Sequence, residues 1–235
     1  MCIRDRFQAM LSDLDAALIH ETIPHFHDTP WRFTRFAEAV RSDVRNRARK
    51  VKDDIDAIMR RESDAVVLRN RAADGGAVRR IVHNDTKLNN VLIDDATGVG
   101  ICVIDLDTVM PGLSMYDFGD CCRIAVNPAA EDERDLSKVK ADLALFRLIA
   151  EGYLSAARDF LLPAEIRHLA FSAKLITLEQ AVRFLTDYLQ GDVYYKIHRP
   201  EHNLDRCRTQ LALVDDMERK MGEMQAIIGE NGRGT

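Results

Sequence analysis

His83-Asn84-Asp85 is followed by Asn90, and Asp105 lies fifteen residues beyond Asn90. The stretch reads H-x-D-x-x-x-x-N, then a second aspartate at the end of an apolar run. Phosphoryl transfer asks for this set of side chains. A hydroxyl becomes a better nucleophile as its proton is taken, so Asp85 is the candidate base. ATP travels with Mg²⁺, a hard cation that prefers oxygen donors, so Asn90 and Asp105 are candidate metal and nucleotide ligands. The metal would neutralise charge on the transferred group. Lys87, two residues after Asp85, offers positive charge to the γ-phosphate and counts as both catalytic and nucleotide-binding. Asp107 reads either as a further metal partner or as a turn residue. His83 reads as a packing and hydrogen-bonding residue, and Asp94 and Asp95 as a turn. H-x-D-x-x-x-x-N alone also occurs in ordinary capped loops; the second aspartate, at a hairpin's distance, adds the specificity.

The elements that must position these groups follow from the surrounding pattern. "RRIVH" reads as a short strand. "NVLID" and "GICVID" read as two more, joined by the Gly-containing turn "DATGV", so 90–105 is expected to be a β-hairpin. Such a hairpin would return the chain so that Asn90 and Asp105 face one ion. Apolar residues at helical spacing predict helices over 7–21, from Thr29 to about 62, and over 135–160, 163–190 and 201–229. Thr29 is the expected N-cap with Pro30 in the first turn, and Pro163 opens a later helix. Asp74-Gly75-Gly76 breaks the chain. The expected fold is mainly α with a small β-hairpin insert, an α+β architecture.

Bulk properties bound the function. The 235 residues carry a net charge of −5, which gives no basic field for nucleic acid or an anionic membrane. No apolar run approaches the length of a spanning helix, and no secretory signal is evident. Five cysteines, two of them adjacent and none in C-x-x-C, argue against a disulfide framework or a zinc site and for a reducing, cytoplasmic compartment. Cys102, in an apolar run, is expected to be a small core residue.

"HNDTKLNN…VIDLDTVMPGLSMYDFGDCCR" resembles the aminoglycoside phosphotransferase and choline-kinase-like family. The resemblance runs from "TIPHFHDTPWRF" through "AAEDERDLSKV" to "ITLEQAVRFLTDYLQGDVYYK", and the blocks after the loop are most similar to N-acetylhexosamine 1-kinases. The resemblance implies transfer from ATP, with Mg²⁺, to the anomeric hydroxyl of an N-acetylhexosamine. It implies that Asp85 is the base and also meets the acceptor, that Asn90 and Asp105 hold Mg²⁺, and that Arg183 and Tyr194 hold the sugar. An arginine fork and a tyrosine ring with its hydroxyl suit that task. The same residues also fit an i,i+4 ion pair of Arg183 with Asp187 and a core position for Tyr194 and Tyr195. Asp117 and Asp120, in "YDFGD", read as braces of the active-site loop. Choline, homoserine and aminoglycoside remain alternative acceptors, and a non-catalytic sugar- or partner-binding lobe is the alternative from another class. Oligomeric state is open.

The resemblance implies a protein-kinase-like C-terminal lobe. Before residue 81 there is no strand-rich region, no G-x-G-x-x-G and no Walker-type motif, so an N-terminal β-rich lobe is expected to be missing from the chain. "MCIRDR" at 1–6 resembles translated adapter sequence and is set aside as an artefact. The expected organisation is one lobe over 7–228, with the catalytic loop and metal hairpin at 81–120, a helical substrate region at 135–228 and a flexible tail at 229–235.

Overall fold

The computed structural model describes residues 3–232, in which helices dominate and the strands are short. The first four helices are α1 (Ile3–Met10), α2 (Thr29–Ser42), α3 (Lys52–Met59) and α4 (Val67–Ala73). Strands β1 (Arg79–Val82), β2 (Val91–Ile93), β3 (Gly100–Val103) and β4 (Met110–Leu113) follow. Helices α5 (Ser114–Ala125), α6 (Leu143–Ala157), α7 (Pro163–Arg167), α8 (Leu169–Gln190), α9 (His202–Arg219) and α10 (Met221–Gly232) complete the chain.

The strands form two antiparallel pairs. The expected hairpin is β2–β3, with Val91 opposite Val103. The other pair is β1–β4, with Val82 opposite Met110 and Arg79 opposite Leu113. Pro111 and Gly112 are tolerated in β4 because a two-stranded sheet leaves each strand an edge. Gly112 is also required there, since a Cβ would sit 2.5 Å from Val82 Cγ2.

Helix α8 organises the core. It is buried nearly all round, as a helix enclosed by other elements must be. Its N-terminal half, with Leu169, Ala173 and Leu175, packs into a core with Phe118, Phe146 and Met217. Its C-terminal half, with Leu178, Val182 and Leu185, packs into a second core with Phe33, Phe36 and Leu204. At Gly119 on α5 a Cβ would lie 2.6 Å from the Ser172 carbonyl oxygen, so the α5 and α8 backbones meet there.

Several expectations are corrected. Helix α1 is shorter than 7–21 and begins at Ile3, inside the segment set aside as an artefact; residues 1–2 lie outside the described region. The cap of α2 is Asp28, whose side chain accepts from the Trp31 N–H at 3.1 Å; Thr29 is the first helical residue. The helix expected to reach residue 62 stops at Ser42, because Asp43 and Asn46 take positive φ. The 163–190 and 201–229 helices are each divided, at His168 and Lys220. Helix α10 continues through Gly232, into the stretch expected to be a tail, and 233–235 lie outside the described residues. Strand β4 and helix α5 were not expected. Cys102 is exposed rather than core, because the hairpin pairs only with itself and leaves Leu92, Ile93, Val99 and Ile101 uncovered as well.

Candidate active site

The polar stretch after β1 is a loop tied from below by the start of α5. Asp117 accepts from the backbone N–H of His83 at 2.9 Å and of Asn84 at 2.7 Å, and from Gln8 Nε2 at 2.6 Å. Asp120 accepts from the Thr86 N–H at 2.7 Å, and Thr86 Oγ1 donates to the Asp117 carbonyl. Burial pushes the Asp117 carboxyl up, against the donors that hold it ionised. Asp120 is also disfavoured as an anion by burial, yet Arg123 and the other cations and donors around it bring it below the ordinary carboxylate range. Asp117 therefore spends both oxygens, and Asp120 its Oδ2, on the loop backbone, as loop braces do, while Asp120 Oδ1 accepts from Arg123. Phe118, between them, points into the core against Phe146 and Tyr153.

Asn84 adopts φ 65°, a left-handed conformation that few residues accept and asparagine accepts most readily. Its amide donates to the Thr108 carbonyl at 2.9 Å, and Thr108 Oγ1 donates to the His83 carbonyl at 2.7 Å. His83 is buried. Its Nδ1 accepts from the Asp85 N–H at 3.3 Å, so Nε2 carries the proton and donates to the Ile104 carbonyl at 3.1 Å. The histidine thus spans the catalytic-type loop and the far strand of the hairpin. Across the hairpin, the Ile104 N–H donates to the Asn90 carbonyl at 3.0 Å, which sets Asp105 beside Asn90. Asp105 is also left-handed, at φ 62°, and this turn swings its carboxylate out of the strand.

Four of the expected residues come together. Lys87 Nζ donates to Asp85 Oδ2 at 2.6 Å and stands 3.8 Å from Asp105 Oδ2. Asn90 Nδ2 donates to both the Asp85 carbonyl, at 3.0 Å, and Asp85 Oδ2, at 3.1 Å. Two consequences follow. Asp85 Oδ2 is occupied, while no donor among the described residues meets Oδ1, which leaves that oxygen to receive a proton. Asn90 has both amide protons committed, which fixes its Oδ1 away from Asp85 and without a donor among the described residues. Asp107 is exposed; its carbonyl accepts from Thr22 Oγ1 at 3.0 Å.

This donor set fits a magnesium ion. An amide oxygen and one or two carboxylates are hard donors, and an ammonium already bridges Asp85 and Asp105 as a cation would. No group of three or more His, Cys, Asp or Glu side chains among the described residues is placed to hold a metal. That is no obstacle for Mg²⁺, which keeps water and phosphate oxygens as ligands and needs few from protein.

Among the described residues no hydrogen bond or ion pair joins Arg183 or Tyr194 to this cluster; they line a hollow beside α8. A cavity of about 210 Å³ is lined by Trp31 and Arg32 of α2, Arg183 of α8, and Tyr194 and Tyr195 beyond α8. The alternative ion pair with Asp187 does not form. Asp187 instead accepts from the backbone N–H groups of Val193 and Tyr194 at 2.8 Å and Tyr195 at 3.0 Å, and from Asn203. Tyr194 is 71% exposed and not core, whereas Tyr195 packs on Phe184 and accepts from Gln180.

Sequence reasoning missed a tie between the loop after β1 and helix α8. His27 Nε2 meets the carbonyl oxygen of Asn84 at 2.9 Å, and its Nδ1 meets Glu179 Oε1 at 2.8 Å. Glu179 Oε2 also accepts from Thr29 Oγ1 at 2.5 Å. A ring with acceptors on both nitrogens is best satisfied as imidazolium. Burial opposes that charge, but the Glu179 carboxylate, helped by Asp120 and the Asn84 carbonyl, lifts the His27 pKa above its ordinary value. The available signal was Glu179 set among Ile176, Leu178, Ala181 and Val182 of α8, where an unpaired carboxylate is rare.

Residues 3–151, more than half of the chain, match the model of the phosphotransferase enzyme family. The matched segment contains Asp85, Lys87, Asn90 and Asp105; Arg183 and Tyr194 lie beyond it. Among the described residues no helix is long and apolar enough to cross a membrane.

Proposed function

The chain belongs to the phosphotransferase enzyme family, and from that premise we propose that it moves the γ-phosphoryl group of ATP to a hydroxyl of a small molecule, the anomeric hydroxyl of an N-acetylhexosamine. The observation that carries this reading is the Asp85–Lys87–Asn90–Asp105 cluster, with Asp85 Oδ1 left open.

Asp85 Oδ1 takes the proton of the acceptor hydroxyl. Asn90 holds Asp85 Oδ2 and so orients the base. Lys87 supplies positive charge beside the reacting phosphoryl group. Asn90 Oδ1, Asp105 and Asp107 would hold Mg²⁺, which when bound would neutralise charge on the nucleotide phosphates. Arg183 and Tyr194 hold the acceptor, with hydrogen bonds from the guanidinium to ring substituents and the tyrosine face against the sugar ring. The arginines lining that hollow disfavour cationic acceptors such as choline or an aminoglycoside.

The test combines sugar binding and turnover. Ligand-detected NMR with N-acetylglucosamine, N-acetylgalactosamine, glucose, galactose and choline should show selective N-acetylhexosamine binding, lost in Arg183→Ala. Phosphorus NMR with Mg·ATP should then show a sugar 1-phosphate. Asp85→Asn should lower its rate by about 10²- to 10⁴-fold while sugar binding stays intact. Equal binding across the panel would remove the hexosamine assignment. Binding lost together with turnover in Asp85→Asn would remove the base assignment.

A further inference from the structure

Arg32 and Arg183 face the same cavity, and neither has a carboxylate within 4 Å among the described residues. Arg32 donates from one terminal nitrogen to the Phe26 carbonyl at 3.0 Å; its Nε is buried and meets no acceptor. Arg183 has only a long contact of 3.4 Å to Gln180 Oε1, and its guanidinium lies 5.4 Å from the Phe26 ring centre and 5.8 Å from that of Tyr195. The nearby acids are already engaged. Asp187, which lines the cavity, accepts three backbone N–H groups and Asn203. Glu179 is matched by His27 and Thr29. The cavity's third arginine, Arg35, pairs with Glu38. Two guanidiniums are thus left repelling each other across a hollow, in a chain whose net charge is −5. Burial first, and Arg183 next, depress the Arg32 pKa, whereas at Arg183 burial is outweighed by Tyr195 and Glu179 together, which raise its pKa.

Arg32 and Arg183 are half-buried, and charge of one sign partly withdrawn from water, with donors unspent, is costly unless something of the other sign completes it. We propose that the Arg32–Arg183 cavity binds an oxyanion, a phosphate or carboxylate group, gripped by the two guanidinium forks. Planar forks match such groups in bidentate fashion, which a lone neutral hydroxyl cannot exploit. The aromatic walls, Trp31 with Tyr194 and Tyr195, leave room for a ring attached to that anion. The oxyanion belongs either to the acceptor itself, making it an N-acetylhexosamine that bears a phosphate or carboxylate, or to a free phosphate. The first source rests on the acceptor reading of this hollow given above.

Isothermal titration of the chain without nucleotide separates these cases. The probes are inorganic phosphate, glucuronate, N-acetylglucosamine and N-acetylglucosamine 6-phosphate, at low and high NaCl. The sugar phosphate is expected to bind at least about tenfold more tightly than the neutral sugar, and the advantage should shrink at high salt. Arg32→Gln and Arg183→Gln should each remove roughly tenfold of the anion's affinity. Arg147→Gln, on α6 and paired with Glu230 away from the cavity, should leave it unchanged. Thermal melts of all three variants establish that they fold. A sugar phosphate that outbinds inorganic phosphate assigns the anion to the acceptor; equal binding assigns it to free phosphate. Neutral and charged sugars binding alike, or anion affinity unchanged in both folded arginine variants, would overturn the inference. Anion binding with no phosphoryl transfer to any sugar would remove the acceptor reading and leave the anion site standing.

Discussion

His27 ties the loop bearing Asn84 to α8, and its chemistry is set by what faces it. Glu179 from α8 and the Asn84 carbonyl take its two nitrogens, Tyr116 of α5 lies 5.2 Å away ring to ring, and Asp120 of α5 adds negative potential. Its folded pKa is raised. The stabilisation from its charged form is therefore complete below the unfolded value near 6.5 and is lost as pH rises through the folded value. Glu179 is the mirror case: burial opposes its ionisation, but His27 and Thr29 hold its pKa below the ordinary value. Its contribution is present above about 4.3 and is lost as pH falls through the folded value. His27→Ala should cost roughly 3–5 kcal/mol at pH 6, because it strands a buried carboxylate. Urea unfolding at pH 6 and pH 9 checks this; the penalty should be smaller at pH 9, where the wild type has begun to lose the same pair. An imidazole titration by ¹⁵N NMR that finds His27 at or below its ordinary pKa would refute the assignment. Asp85, Lys87, Asn90 and Asp105 were legible in sequence because their spacing is short and local. His27 and Glu179, 152 positions apart, were not, because only the packing of α2 on α8 brings them together.

Elements were legible where their apolar pattern was uninterrupted. The β2–β3 hairpin was read from alternating Val, Ile and Leu around a glycine turn, and it is present within a few residues of the expected limits. Helix α5 was hidden because its buried face carries Ser114, Asp117, Gly119 and Asp120 beside Met115, Phe118 and Cys122. Polar residues on an inward face erase the 3.6-residue hydrophobic period that announces a helix. Strand β4 was hidden by Pro111 and Gly112, which ordinarily mark a turn. The same reasoning explains why the triplet Asp117-Phe118-Gly119 is structural: one residue braces the loop, one fills the core, and one lets two helices touch. Gly119→Ala should then force α5 off α8, since the new methyl would meet the Ser172 carbonyl at 2.6 Å. A loss of about 1–3 kcal/mol is expected in urea unfolding. Because α5 carries both loop braces, the variant should also speed amide exchange at His83, Asn84 and Thr86, the three N–H groups that Asp117 and Asp120 accept. Unchanged exchange at those three amides in a destabilised variant would mean that the loop does not depend on how α5 is seated.

At the scale of the whole molecule, the question is whether two cores make one cooperative unit. Each core happens to contain a buried thiol: Cys122 of α5 in the first and Cys207 of α9 in the second. Burial pushes the Cys207 thiol well above its ordinary pKa, so it is inert while the second core is closed. Cys102, on the uncovered face of the hairpin, serves as the internal control for an accessible thiol. Helix α8 is shared, contributing Leu169 to Leu175 to one core and Leu178 to Leu189 to the other without a break. Opening either core alone would expose half of a helix whose other half stays enclosed, and the apolar surface exposed would cost roughly 25 cal/mol per Å². Pulsed alkylation across a urea series, read by peptide mass, should therefore label Cys102 at every concentration. Cys122 and Cys207 should become reactive together, at one midpoint. Separate midpoints would show that α8 does not couple the cores. In that case the hollow lined by Arg183, which rests on the second core, could open while the loop bearing Asp85 stays folded on the first.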